Sequence, residues 1–129
     1  MAAPLVCIDT SVVRPGKLGE LKAAMAELAA FVEGREPRAL AYHVFFRDDG
    51  ALMTVVQVHP DAASMELHLR AAAPLFPPLG ALVQLAAVDV YGAASDALLE
   101  MLRAKAVMLG AREVVVHAHH AGFTRLGAP

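Results

Sequence analysis

Asp9, in a β-branched run near the N-terminus, and His68, on an apolar helical stretch, are the side chains of this chain best suited to acid–base chemistry. A carboxylate that holds an imidazole in one tautomer is a recurring way to prepare a general base. If both point to the same side of a sheet, such a base can take the proton of a weakly acidic ligand group. The plainer alternative is that Asp9 caps a turn or pairs with an Arg or Lys, while His68 is a half-buried helix residue with one hydrogen bond. A second polar set, His43, Gln57 and His59, falls on two neighbouring strands and comes together in only one register of their pairing. With Tyr42 it is the candidate substrate-binding set, and hydrogen-bonded scaffolding is its alternative. His117, His119 and His120 form a third group. Two His two residues apart share a strand face and can chelate a transition metal, but a solvated terminus is the commoner outcome for such a segment. No spacing in the chain is diagnostic of a metal site, so none is expected.

The elements that must position these groups are legible around residues 41–70. Two apolar, aromatic and β-branched runs flank Asp48-Asp49-Gly50, which predicts a hairpin closed by a tight primed turn. Alternation places Tyr42, Val44 and Phe46 on one face and His43, Phe45 and Arg47 on the other. In the next strand it separates Met53, Val55, Gln57 and His59 from Leu52, Thr54, Val56 and Val58. A helix is expected from Pro60 to Ala73, with Pro60 at its first position and Asp61 near its positive end. Pro74, Pro77 and Pro78 break it.

Upstream, Leu5 to Val13 reads as a strand closed by Arg14-Pro15-Gly16. Leu18, Leu21, Met25, Leu28 and Val32 then recur at helical spacing over residues 17–33, with Gly34 as the expected C-cap. Residues 81–91 form a fourth strand, Ser95 caps a third helix running to Leu109, and residues 113–117 form a fifth strand. The order is β-α-β-β-α-β, an α+β ferredoxin-like unit over residues 1–94, with residues 95–129 as a helix–strand extension of the same domain.

The chain has 129 residues, 57% of them hydrophobic and 19% charged. That is more apolar surface than one small domain easily hides, and both faces of the hairpin carry large apolar groups. A homodimer that covers the face left bare by the helices is the expected assembly. A net charge of −2, with five Phe, two Tyr and no Trp, gives no electrostatic or stacking basis for a nucleic-acid partner. No apolar run reaches membrane-spanning length and no basic signal region stands at the start, so a cytoplasmic protein with no membrane partner is expected. The single cysteine, Cys7, excludes an intramolecular disulfide.

Pro15-Gly16-Lys17 after strand one, Tyr42 in strand two and the helical pair His68-Leu69 resemble the antibiotic-biosynthesis-monooxygenase family, over about residues 5 to 91. Gln57 stands where that family usually has Glu, and His59 where it has Trp or Tyr. The resemblance implies a dimeric α+β barrel with a cleft between helices and sheet. It also implies a small hydrophobic ligand, and oxidation of phenols or quinols by O₂ with no metal or flavin, so that no cofactor is expected. The haem-degrading branch uses an Asn in strand one, a Trp on the second helix and a later His. Here Asp9 and His68 take the first two positions and no His lies between Leu69 and Tyr91, which disfavours that activity. The leading expectation is therefore a cofactor-independent monooxygenase. A non-catalytic binding or structural module, suggested by Gln57 and His59, and an isomerase or cyclase using the same cleft are the alternatives.

Overall fold

β1 (Leu5–Val13) is the axis of the sheet because both of its edges are paired: with β3 (Leu52–His59) on one side and β4 (Val83–Tyr91) on the other, each antiparallel. β2 (Ala41–Phe46) pairs with β3, and β5 (Val114–His117) runs parallel to β4, giving a five-stranded sheet in the order β2-β3-β1-β4-β5. The computed structural model describes residues 3–111 and 113–127. One side of the sheet is covered by α1 (Leu18–Arg35), α2 (Ala62–Ala72) and α3 (Asp96–Leu109). The fold class is thus the expected ferredoxin-like α+β arrangement, extended by α3 and β5.

Strict alternation buries Leu5, Cys7, Asp9 and Ser11 of β1, and Met53, Val55, Gln57 and His59 of β3, under the helices. In β4 the register shifts opposite Thr10 and Ser11, so one extra residue is inserted and both Leu85 and Val88 can face inward. The helices answer with single apolar stripes: Leu21, Met25, Leu28 and Val32 on α1, and Leu98, Leu102, Ala106 and Leu109 on α3. Burying leucines at this rate, at roughly 1.5–3 kcal/mol each, makes α3 part of the core rather than an appendage.

Three local expectations need correction. The Asp-Gly hairpin forms, but the only left-handed residue in its loop is Gly50 (φ 73°). A primed two-residue turn needs two such residues, so the loop is the longer kind that ends on a left-handed glycine. α1 runs through Gly34 to Arg35 and is ended by Glu36, whose N–H donates to the Val32 carbonyl, so Gly34 is not the cap. α2 starts at Ala62 because Asp61 is its N-cap, accepting a hydrogen bond from the Ser64 N–H at 2.9 Å. The caps of α3 stand where the sequence puts them, with Ser95 at the start and Gly110, at φ 100°, at the end.

Among the described residues, no helix covers the other side of the sheet. Phe45 is 55% exposed there and Val12 44%. No helix is long and apolar enough to cross a membrane among the described residues.

Candidate active site

α2 carries His68 against the sheet at the level of Tyr42, and the ring is fully buried. Its Nδ1 lies 2.9 and 3.0 Å from the two carboxylate oxygens of Glu36, itself only 4% exposed, where α1 ends. An ionised carboxylate only accepts, so Nδ1 carries a proton, and in the neutral ring Nε2 keeps its lone pair. That Nε2 is buried with no hydrogen-bond partner among the described residues. A buried polar atom left unpaired costs about 1–3 kcal/mol, so this one stands out from a core otherwise well satisfied.

The carboxylate that orients His68 is therefore Glu36 and not Asp9. Asp9, in the middle of β1 and 6% exposed, faces the same layer but takes Lys105 of α3 as its partner, at 3.7 Å. Burial pushes the Asp9 carboxyl above the usual carboxylate range, while the charge of Lys105 and, more weakly, of His68 opposes this. The Lys105 ammonium also lies 4.5 Å from the centre of the Phe76 ring, on its face. Asp9, Ser11, Tyr42, Phe76 and Lys105, with apolar neighbours, enclose a cavity of about 20 Å³, room for about one water. Tyr42 and Phe76 both pack on the His68 ring, with centroids 5.6 and 6.2 Å away, so His68 stands one side chain behind the cavity wall. Tyr42 also borders a surface cleft of about 510 Å³ beside Glu36. Burial raises the Tyr42 hydroxyl's pKa strongly, and the nearby Asp9 and Glu36 charges add to it, so the phenol stays protonated.

The second polar set divides. Tyr42 pairs with Gln57 and shares its face, while His43 pairs with Val56 and lies exposed on the far, uncovered face. His43 therefore does not meet Gln57 and His59, because the register that forms is the one that separates them. Gln57 and His59 are fully buried together: His59 Nε2 is 3.1 Å from Gln57 Oε1 and Nδ1 is 2.7 Å from the Ser64 hydroxyl. Near the C-terminus, His117 pairs with Asp89 at 2.8 Å and stacks on Tyr91, while His119 and His120 lie beyond β5. Among the described residues, no group of three or more His, Cys, Asp or Glu is placed to hold a metal ion.

Two members of this constellation escape a reading of the sequence alone, Glu36 and Lys105. Both follow an apolar stripe by a helical step. Glu36 is four residues after Val32, and Lys105 is three after Leu102, so a charge at the stripe's next position was the available signal.

The architecture is that of a ferredoxin-like α+β protein with the fold of antibiotic-biosynthesis-monooxygenase-like proteins. MupZ from Pseudomonas fluorescens is similar over 95% of this chain and 94% of its own, at 20% identity and a TM-score of 0.72. SnoaB, a cofactor-independent oxygenase from Streptomyces nogalater, is similar over 73% of this chain and 96% of its own, at 20% identity and a TM-score of 0.62. An antibiotic biosynthesis monooxygenase is similar over 67% of this chain and 92% of its own, at 21% identity and a TM-score of 0.57. The likeness to MupZ leaves only about six residues outside, so it takes in most of α3. Neither a protein-family model nor a curated protein sequence matches the chain.

Proposed function

We propose that this chain is a cofactor-independent monooxygenase for a small hydrophobic phenol or quinol bound between helices and sheet. The observation that carries this reading is the unpaired, buried Nε2 of His68, with Glu36 fixing the proton on the opposite nitrogen. Outward movement of Phe76 lets a ring into the cavity and brings its hydroxyl to that lone pair. His68 takes the phenolic proton, and the phenolate donates electron density to O₂ so that a ring carbon forms a C–O bond. The hydrogen on that carbon leaves as a proton while the O–O bond breaks, giving a quinone and water. The substrate loses four electrons, one oxygen atom of O₂ enters the product and the other enters water. Asp9, whose carboxyl is held above its ordinary range, is the second proton-exchange group and serves the departing oxygen. Tyr42 contacts the ligand, and Gln57 and His59 hold the floor beneath it.

Oxygen uptake with a panel of phenols and quinols tests this. Replacing His68 with Ala lowers turnover of any substrate found by about 10²–10⁴-fold with the fold kept, the range expected for loss of a general base. Equal turnover in the variant removes His68 from the mechanism.

A second reading, an isomerase or cyclase, is favoured by the Asp9–Lys105 pair, which sets a second acid–base group across the cavity from the His68 side. Ring-shifted or cyclised products formed without oxygen uptake distinguish it. Ligand binding without any turnover leaves the non-catalytic module.

The same reading takes a second copy of this chain as the cover for the outer face. Replacing Phe45 with Asp puts a charge on the β2 edge of that face and is expected to give single subunits in sedimentation where the parent chain gives dimers. A dimer that survives the change argues against this packing.

A further inference from the structure

The small cavity is not isolated. Its walls Leu28, on α1, and Leu79, on the second 3-10 turn (Pro77–Ala81), also line an outer groove of about 340 Å³. The groove runs between α1, where Ala24 and Phe31 flank Leu28 at helical steps, and the segment carrying Leu75 and Pro78. The two spaces differ in chemistry. The inner one holds the charged pair Asp9 and Lys105, and the outer one is almost wholly apolar, with Glu27 at its edge. Part of the wall between them, the segment carrying Leu79, is poor in backbone donors. Three prolines in residues 73–81 remove three donors, and short i to i+3 bonds at Phe76, Leu79 and Leu82 tie the rest. Rotation of the Leu28 and Leu79 side chains parts this wall, and then a polar end and an apolar trough become continuous.

We propose that the cavity and the groove are two halves of one binding site, built for an elongated amphipathic phenol. Its hydroxyl, while donating to His68 Nε2, accepts from Lys105 beside Asp9, and its alkyl tail lies along α1 in the groove. This rests on the reading of the helix-to-sheet space as the ligand site and deepens it by setting the shape of the ligand: a ring with a chain, in place of a flat polycycle. The single occupant follows from the shared wall, because a ligand large enough to displace Leu28 and Leu79 from inside emerges into the groove. Lys105 comes from α3, so the polar anchor is supplied by the extension that the fold shares with MupZ.

Calorimetric titration of the whole chain with 4-ethyl-, 4-butyl-, 4-hexyl- and 4-octylphenol, each below its micelle concentration, tests the proposal. Affinity is expected to rise roughly fourfold per added methylene until the groove is full, the increment for burying one CH₂. Ala24→Trp, which fills the groove from the surface of α1, abolishes the increment and leaves 4-ethylphenol binding within about twofold. Leu75→Glu does the same from the opposite wall, so the outcome does not hang on one variant folding. Lys105→Met weakens every member by about tenfold or more and leaves the increment intact, as expected for loss of a charged hydrogen-bond donor. Affinity independent of tail length overturns the proposal, as does an increment that survives both groove variants, Lys105→Met affinities equal to the parent's, or no binding at all. The enzymatic reading fails separately. Tail-dependent binding without oxygen uptake sinks oxygenation alone, and oxygen uptake with no dependence on the tail sinks this proposal alone.

Discussion

His59 on β3 and His68 on α2 are both fully buried, and their rings lie 6.0 Å apart. Each nitrogen of His59 has a partner, one the Ser64 hydroxyl and the other the Gln57 carbonyl oxygen. Gln57 Oε1 can only accept, so Nε2 carries the proton and Nδ1 accepts from Ser64, which is the complete bonding of a neutral imidazole. Burial, helped by the neighbouring His68, holds the His59 pKa down at about 4 and keeps it neutral. His68 is bonded on one side only, to Glu36, and its second nitrogen is unpaired. Burial of a histidine therefore says little by itself; the difference between a strut and a base is whether the second nitrogen is used.

The comparison breaks first if the carboxylate behind His68 is dispensable. Replacing Glu36 with Gln keeps an acceptor for Nδ1–H but removes the charge that supports an imidazolium. Turnover is expected to fall on the order of 10²-fold, nearly as far as with His68→Ala. Steady-state oxygen uptake, with circular dichroism to verify the fold, reads this directly. Full activity in Glu36→Gln would return His68 to the status of a second strut.

For His59 the expectation is reversed, with the loss appearing in stability. His59→Ala opens a void and strands Ser64 and Gln57 without their shared partner, at about 2–4 kcal/mol, or roughly 10 °C in melting temperature for a domain of this length. Thermal melts followed by far-ultraviolet circular dichroism are sufficient. A melting temperature within about 2 °C of the parent's would show that the network is ornamental.

The framework was more legible in the sequence than the site. Period-two alternation in residues 5–13 and 52–59, and the leucine spacing in α1 and α3, report burial directly, because a long apolar stripe has only one way to leave water. Pairing across strands is set by register, which no single strand encodes. Hence His43 could be grouped with Gln57 on paper and lie on the opposite face in space. Likewise Asp9 and His68 do share one layer, but their partners come from a loop and a helix far off in sequence, Glu36 and Lys105. Which carboxylate meets which base depends on how α1 and α3 pack, and only the clue of a charge continuing an apolar stripe pointed there.

The smallest effect sharpens the contrast most, because it sets the two sides of the cleft against each other in one titration. His59 has a folded-state pKa of about 4 against an ordinary 6.5, so between those values the unfolded chain binds more protons, and stability is lost as pH falls. Asp9 has the opposite sign. Its carboxyl is raised above 3.8, so the folded chain binds the proton first and gains relative stability as pH falls toward that ordinary value. The two contributions offset one another in the parent chain, whose melting temperature is expected to decline gently between pH 6.5 and 4. Asp9→Asn removes the compensating group and should steepen that decline by a few degrees, while His59→Gln should flatten or invert it. Parallel curves for the three chains would mean that neither group titrates differently in the fold, and the distinction between a neutral strut and a proton-holding acid would lose its electrostatic basis.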